Sequence, residues 1–238
     1  MYMQIRLRPP LFEIGLKGYL YGRKALELAI AADRLSKEYE VMIIFDPQYV
    51  DIPVIARETE RLLVFAQHMD PLQIGRGTGS VLPEALKEAG AVGTLLNHAE
   101  RRLTLADINN TIGRADEVGL MTMVCADSPE EAAAVAHLNP NIILAEPPAL
   151  IGTETSIGKG QKGFITRSME MIKSINPDIL VFNSAGIRTA EDVAEVIRLG
   201  AEATGSTSGI LRSEKPIKTM EEMIKALKET WLEIHPGP

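Results

Sequence analysis

His98 stands in the stretch Val92-Gly93-Thr94-Leu95-Leu96-Asn97-His98-Ala99-Glu100-Arg101-Arg102, where an apolar, β-prone run turns abruptly polar at Asn97. A buried parallel strand reads this way when it ends at a working surface. The histidine supplies a proton donor, Glu100 a charge to orient it, and the two arginines cations for an anion. The same letters also describe a strand followed by a solvated helix start, so the stretch carries little alone. Glu146 closes another apolar run and is followed by Pro147-Pro148, which stiffen the entry to the next loop. A carboxylate shielded by such neighbours is a candidate general base. Lys17, at the end of the first apolar run, can hold negative charge that develops near a carbonyl polarised by His98.

Glycine-bearing turns complete the set. Ile151-Gly152-Thr153, Ser184-Ala185-Gly186 and Ser208-Gly209 offer backbone N–H groups to a phosphate, and Ser208-Gly209, just after Thr207, opens a short helix. A base, an electrophile and a phosphate grip describe proton abstraction next to a carbonyl on a phosphorylated sugar. That chemistry calls for no metal and no cofactor, and His68, His98, His137 and His235 have no ligand spacing.

The hydropathy pattern supplies elements that can carry these groups. Strands are expected at 11–19 (finishing at Lys17), 41–45, 62–66, 92–96, 120–124, 141–145, 179–183 and 203–207. Helices are expected at 23–38, 53–60, 80–89, 105–118, from Ser128, at 161–174, 190–199 and 219–232, with 147–160 a loop. Ser128 and Glu131 read as a capping box. Pro83 lies in a first helical turn and Gly119 at a helix end. Strands alternating with helices imply a parallel sheet. Eight such units in this length fit a (β/α)8 barrel of the α/β class, one domain over 1–238 with a lead-in at 1–10 and a frayed end at 233–238. An open doubly wound sheet fits less well, because no strand is followed by G-x-G-x-x-G. Strand-end polar residues Lys17, Gln67, His98, Glu146, Ser184 and Ser208 would then converge on one mouth.

Composition sets the outer bounds. The chain has 238 residues, 45% hydrophobic and 24% charged, with net charge −7 and one cysteine. No apolar run approaches the ~20 residues of a membrane span, and the N-terminus, with Arg6 and Arg8, shows no signal-peptide core. The acidic balance argues against general nucleic-acid binding. A single cysteine, Cys125, allows no internal disulfide and no cysteine metal cluster, which suits the cytoplasm. Cys125 is expected buried and inert, and the methionines are read as core filling.

Several of these stretches also resemble a known family. Leu95-Leu96-Asn97-His98-Ala99-Glu100-Arg101-Arg102 resembles the signature around the electrophilic histidine of the triosephosphate isomerase family. Glu146-Pro147-Pro148-Ala149-Leu150-Ile151-Gly152-Thr153 resembles its catalytic glutamate and mobile lid in the shorter, archaeal-type version. Ala66-Gln67-His68-Met69-Asp70-Pro71, Gly119 to Cys125 and Ser184-Ala185-Gly186-Ile187 fit the same version, so the likeness spans roughly 11–211. It implies a TIM barrel and an aldose–ketose isomerase of carbohydrate metabolism, acting on glyceraldehyde 3-phosphate and dihydroxyacetone phosphate. Glu146 is then the base, His98 the neutral electrophile and Lys17 the stabiliser of the enediolate, with Glu100 behind the site near Lys17. Gly152, Ser184 and the Ser208-Gly209 amides grip phosphate beneath a lid at about 147–155. This family is a standard worked example of pKa tuning and lid closure, so those roles come with the resemblance. It also implies a homo-oligomer, dimer or tetramer, with the loop at Thr78-Gly79 entering a neighbouring subunit's site.

The first strand departs from the family. Gly15-Leu16-Lys17 stands where an Asn-x-Lys pattern is expected, so an asparagine that braces the site is missing. Alternation puts Glu13, Gly15 and Lys17 on one face. Glu13 therefore either reaches up into the space Gly15 vacates or pairs with an interior polar group lower down. Asn183 and Gly205-Ser206 also differ at strand ends. These departures keep two further functions open: isomerisation of a longer phosphorylated sugar, such as a tetrulose or pentulose phosphate, and binding of a sugar phosphate without turnover.

Overall fold

The computed structural model describes residues 5–236 apart from Glu154 and Gln161. The other residues of the expected lead-in, C-terminal end and lid lie outside the described residues.

Eight short strands close a parallel barrel in sequence order: β1 (Leu11–Gly15), β2 (Met42–Asp46), β3 (Leu63–Ala66), β4 (Gly93–Leu96), β5 (Met121–Ala126), β6 (Ile142–Ala145), β7 (Leu180–Asn183) and β8 (Ala203–Gly205). β1 pairs with β2 and, through Leu11↔Ala203 to Glu13↔Gly205, with β8. Runs such as Ile142-Ile143-Leu144-Ala145 are apolar at every position because both strand faces are covered. Inward residues Leu11, Ile44, Phe65, Met123, Ile142, Phe182 and Ala203 form one core inside the barrel. Outward residues such as Phe12, Ile43, Val64, Val124, Ile143 and Val181 form a second with the surrounding helices. Gly93 has no side chain because the Phe65 ring occupies that place.

The helices follow their sequence signals. Gly22–Tyr39 buries Ala25, Leu28, Ala29, Ala32 and Leu35 on one stripe. Thr104 accepts a hydrogen bond from the Asp107 N–H at the start of Leu105–Val118, which ends at Gly119 with φ +71°. Thr189 and Asp192 make a reciprocal capping box on Ala190–Arg198. At the start of Pro129–Ala136 the box is half made. Ser128 accepts from the Glu131 N–H, but the Glu131 carboxylate accepts from Asp127 N–H instead. The last helix runs Pro216–Ile234, longer than expected at both ends, and His235 stacks on Trp231.

Three elements differ in ways that shape the site. β1 stops at Gly15, before the expected end. Leu16 N–H still donates to Asp46 O, but Lys17 then takes φ +48° and its carbonyl accepts from the Gln48 and Gln67 side-chain amides. β8 stops at Gly205, because Ser206 turns its hydroxyl to Ile187 O and Ser208–Leu211 begins a helical turn. The 147–160 stretch is not all loop: a turn of 3₁₀ helix covers Pro148–Leu150, and Ile157–Gly160 is helical, anchored by buried Ile157 and its N–H to Ala185 O.

Candidate active site

A cavity of about 310 Å³ opens at the C-terminal ends of the strands. Lys17, His98, Glu100 and Glu146 line it, with Gly15, Gly152, Ser184, Ala185, Gly186, Thr207 and Ser208. Two expected residues do not. Thr153 turns its hydroxyl to Leu150 O and steadies the loop after Glu146. Gly209 sits behind the rim, where a side chain would press on Ile187 O and Ser206 Oγ. Among the described residues, no group of three or more His, Cys, Asp or Glu side chains is placed to hold a metal ion.

The turn after β4 aims the histidine. Asn97 has φ +59°, a conformation asparagine tolerates better than most residues. Its Nδ2 donates to Cys125 O at 2.9 Å and its Oδ1 accepts from Leu103 N–H at 2.9 Å. Arg102 is not free for an anion. Its guanidinium donates to Asn97 O and pairs with Asp127 and Glu131, so it braces the same turn. Arg101 does line the cavity, 3.9 Å from Asp70. The Glu100 N–H donates to His98 Nδ1 at 3.1 Å. That fixes the tautomer: in the neutral ring the proton sits on Nε2, which is 3.5 Å from Glu146 Oε1.

Burial, then the charges of Lys17 and Arg102, push His98 down to about 4 against the opposing pull of Glu100. Its imidazole is neutral at pH 7 and donates through Nε2–H. Glu146, 5% exposed, is pushed up to about 7 by burial, with Lys17 and the Ser184 hydrogen bond opposing. Its Oε2 accepts from Ser184 Oγ at 3.1 Å, so the serine expected to grip phosphate is engaged by the Glu146 carboxylate. One neighbouring pair is thus a neutral donor and a carboxylate that takes up a proton near neutrality.

Lys17 Nζ is 2.7 Å from Glu100 Oε1. Burial would raise the Glu100 carboxyl, but the Lys17 hydrogen bond and charge outweigh it and hold it below its ordinary value. The pair points the ammonium into the cavity. Opposite lie the glycine turns. Ala185 and Gly186 both have positive φ, and a side chain at Gly186 would strike the Thr155 carbonyl. The first-turn amides of Ser208–Leu211 have no acceptor within that helix.

Two residues at the floor escaped or divided the sequence reading. Glu13 does reach toward the space above Gly15, where its Oε1 occupies the position of any Cβ. It also pairs with a polar group, Asp46, which is level with Gly15 rather than lower. Asp46 read only as the end of an apolar strand. An acid closing a strand at the face where His98 and Glu146 also sit was the available signal. Asn183, by contrast, does not line the cavity; its amide donates to Ala145 O. Cys125 is buried beneath the site and its thiol is pushed well up by burial and by Glu146, Glu13 and Asp46.

Comparison with known proteins agrees with this geometry. The family model for triosephosphate isomerase matches residues 16–202. A triosephosphate isomerase from Methanobacterium bryantii is 40% identical over 220 residues, covering 92% of this chain and 97% of that protein. One from Sulfolobus acidocaldarius is 40% identical over 221 residues, covering 92% and 95%. One from Methanocaldococcus jannaschii is 38% identical over 204 residues, covering 86% and 93%. With the barrel, the strand-end cavity and matches across nearly the whole length, this chain belongs to the triosephosphate isomerase family.

Proposed function

We propose that this protein interconverts glyceraldehyde 3-phosphate and dihydroxyacetone phosphate. The observation that carries the reading is the Glu146–His98 pair: a base near neutrality and a neutral N–H donor 3.5 Å apart in one cavity. Glu146 removes the proton from the carbon next to the carbonyl. The electron pair moves onto the carbonyl oxygen, where His98 Nε2–H and the Lys17 ammonium receive the charge. A proton passes from the neighbouring hydroxyl to that oxygen, relayed through His98 Nε2, while Glu146 returns its proton to the neighbouring carbon, which completes the aldose–ketose exchange. The amides at Gly152, Ala185-Gly186 and Ser208-Gly209 grip the phosphate, and the loop from Pro147 covers it.

The longer-sugar alternative rested on space opened at Gly15. The Glu13 carboxyl fills that space, which supports a triose instead. The exposed loop around Thr78-Gly79, with Ile74 exposed just before it, supports self-association through this loop. A place in glycolysis and gluconeogenesis follows from the reaction.

The test is a coupled isomerase assay together with exchange of substrate C–H against deuterated water. Native chain turns over both triose phosphates with exchange. Glu146→Gln folds and binds but loses activity by about 1,000-fold or more, a loss within the range expected when the essential base is removed. Binding without exchange by the native chain would leave a sugar-phosphate receptor and sink the reading.

A further inference from the structure

Glu13 and Asp46 are buried acids that the reaction described above does not use. Glu13 Oε2 lies 2.6 Å from where a Gly205 Cβ would stand, and its Oε1 blocks the same position at Gly15. The carboxyl is therefore seated between two glycines of β1 and β8, and a side chain at either would evict it. Asp46 faces it from β2, in register with Gly15, 1% exposed. Neither Asp46 carboxylate oxygen meets an N–H or O–H donor among the described residues. The Lys17 ammonium is bonded to Glu100. The two carboxyls face each other, and two ionised carboxylates that close repel, so the pair favours holding a proton.

Both acids line the cavity that holds His98 and Glu146. A doubly ionised pair there would repel an enediolate forming overhead. With one proton held between them, the pair turns that proton outward when the stronger acceptor forms, so that the Glu13 O–H donates to the oxyanion and Asp46 keeps the charge. A carboxylic acid kept neutral by its surroundings is an established kind of donor to a developing oxyanion. We propose that Glu13 is a further substrate-contacting residue, whose carboxyl, sharing a proton with Asp46, donates an O–H hydrogen bond to the oxygen that gains charge in the sugar phosphate. This rests on the isomerase reading. Burial raises both carboxyls, Asp46 further through the facing charge of Glu13, in keeping with a retained proton.

The test compares native chain, Glu13→Gln and Glu13→Ala with glyceraldehyde 3-phosphate from pH 6 to pH 10. The groups that face Glu13 are Asp46 on β2, Lys17 beyond β1, Glu146 after β6 and Cys125 on β5. All four remain in both variants; the charge of Glu13 raises Asp46, Glu146 and Cys125, and both variants remove that contribution alike, so the comparison of Glu13→Gln with Glu13→Ala is free of it. Glu13→Ala lowers kcat about 100-fold with KM changed less than about threefold, the loss expected for one oxyanion donor. Glu13→Gln keeps an N–H donor and the net charge of the singly protonated pair. It retains kcat within about tenfold and loses the decline at high pH that the native chain shows as the shared proton leaves. Native kcat in Glu13→Ala, or the same high-pH decline in Glu13→Gln as in the native chain, overturns the proposal. Should Glu13→Ala fail to fold, the Glu13→Gln profile decides alone. A native chain with no triose turnover sinks the isomerase reading and this proposal together. An active native chain with unaffected variants sinks only this one.

Discussion

Nε2 of His98 lies 3.5 Å from Oε1 of Glu146, and the donor and the base are pushed in opposite directions, to about 4 and about 7. Both shifts begin with burial, which disfavours the imidazolium and the carboxylate alike. The base must be ionised to act. The expected kcat/KM therefore falls below about pH 7, approaching tenfold per unit, and His98 adds no limb above about pH 5. The substrate phosphate titrates lower, near about 6. A pH–rate profile with a phosphonate analogue checks the assignment; an acid limb that moves with the substrate would assign it to the phosphate instead.

Ser184 lowers the Glu146 carboxyl through its hydrogen bond. Ser184→Ala is expected to move the acid limb to higher pH by up to about two units, since a hydrogen bond to an ionised group is worth ~1.5–3 kcal/mol at most. An unmoved limb would mean that Ser184 leaves Glu146 before proton transfer.

Gly186 has φ +68° and lies against the Thr155 backbone, while Ile157 N–H donates to Ala185 O. The turn after β7 and the far end of the loop after Glu146 are thus keyed together. Gly186→Ala is expected to raise KM for triose phosphates about tenfold or more and lower kcat, in a chain that still folds. Circular dichroism beside steady-state kinetics separates the two effects.

Asn97→Ala removes a buried donor and acceptor and places alanine at φ +59°. A cost of about 2–4 kcal/mol is expected from the orphaned partners and the strained backbone. Urea unfolding measures it. Catalysis should suffer as well, because the turn that Asn97 braces carries His98.

Folding raises the proton affinity of Glu13 and Asp46 above their ordinary values of 4.5 and 3.8. Between those values and the folded-state ones, the folded chain holds more protons than the unfolded chain. Stability from this source is fully present below the unfolded values and is lost as pH rises through the folded ones. Glu146 acts in the same direction up to about 7. As pH rises from the ordinary carboxylate values, the melting temperature should therefore fall more steeply in the native chain than in a Glu13→Gln, Asp46→Asn double variant. Parallel curves would show that the pair binds no extra proton.

The barrel was legible because burial on both faces writes continuous apolar runs, and eight of them alternate with helical stripes. Glu146, His98 and Lys17 were legible because a polar residue ending such a run has to face the mouth. Boundaries were less so. Lys17 reads as strand, yet side-chain amides of Gln48 and Gln67 take over its carbonyl, and no local pattern announces a donor 31 or 50 residues away. Arg102 reads as a ligand for an anion but spends its guanidinium on Asp127 and Glu131, a commitment set by tertiary neighbours. Asp46 reads as a strand stop; its meaning depends on register with Gly15 across β1 and β2.

β8 has only three residues, three register pairs with β1 and one with β7. It is the thinnest stave of the barrel, and the seam it closes joins the first strand to the last. The Ser208-Gly209 amides that would grip the phosphate follow it within one turn of chain. A phosphate held by Ser208-Gly209 and the Ala185-Gly186 turn would act as a clasp between β8 and β7, where the two strands share a single register pair. Occupancy should be recorded far from the reacting carbon, in slower amide exchange along β8 and β7.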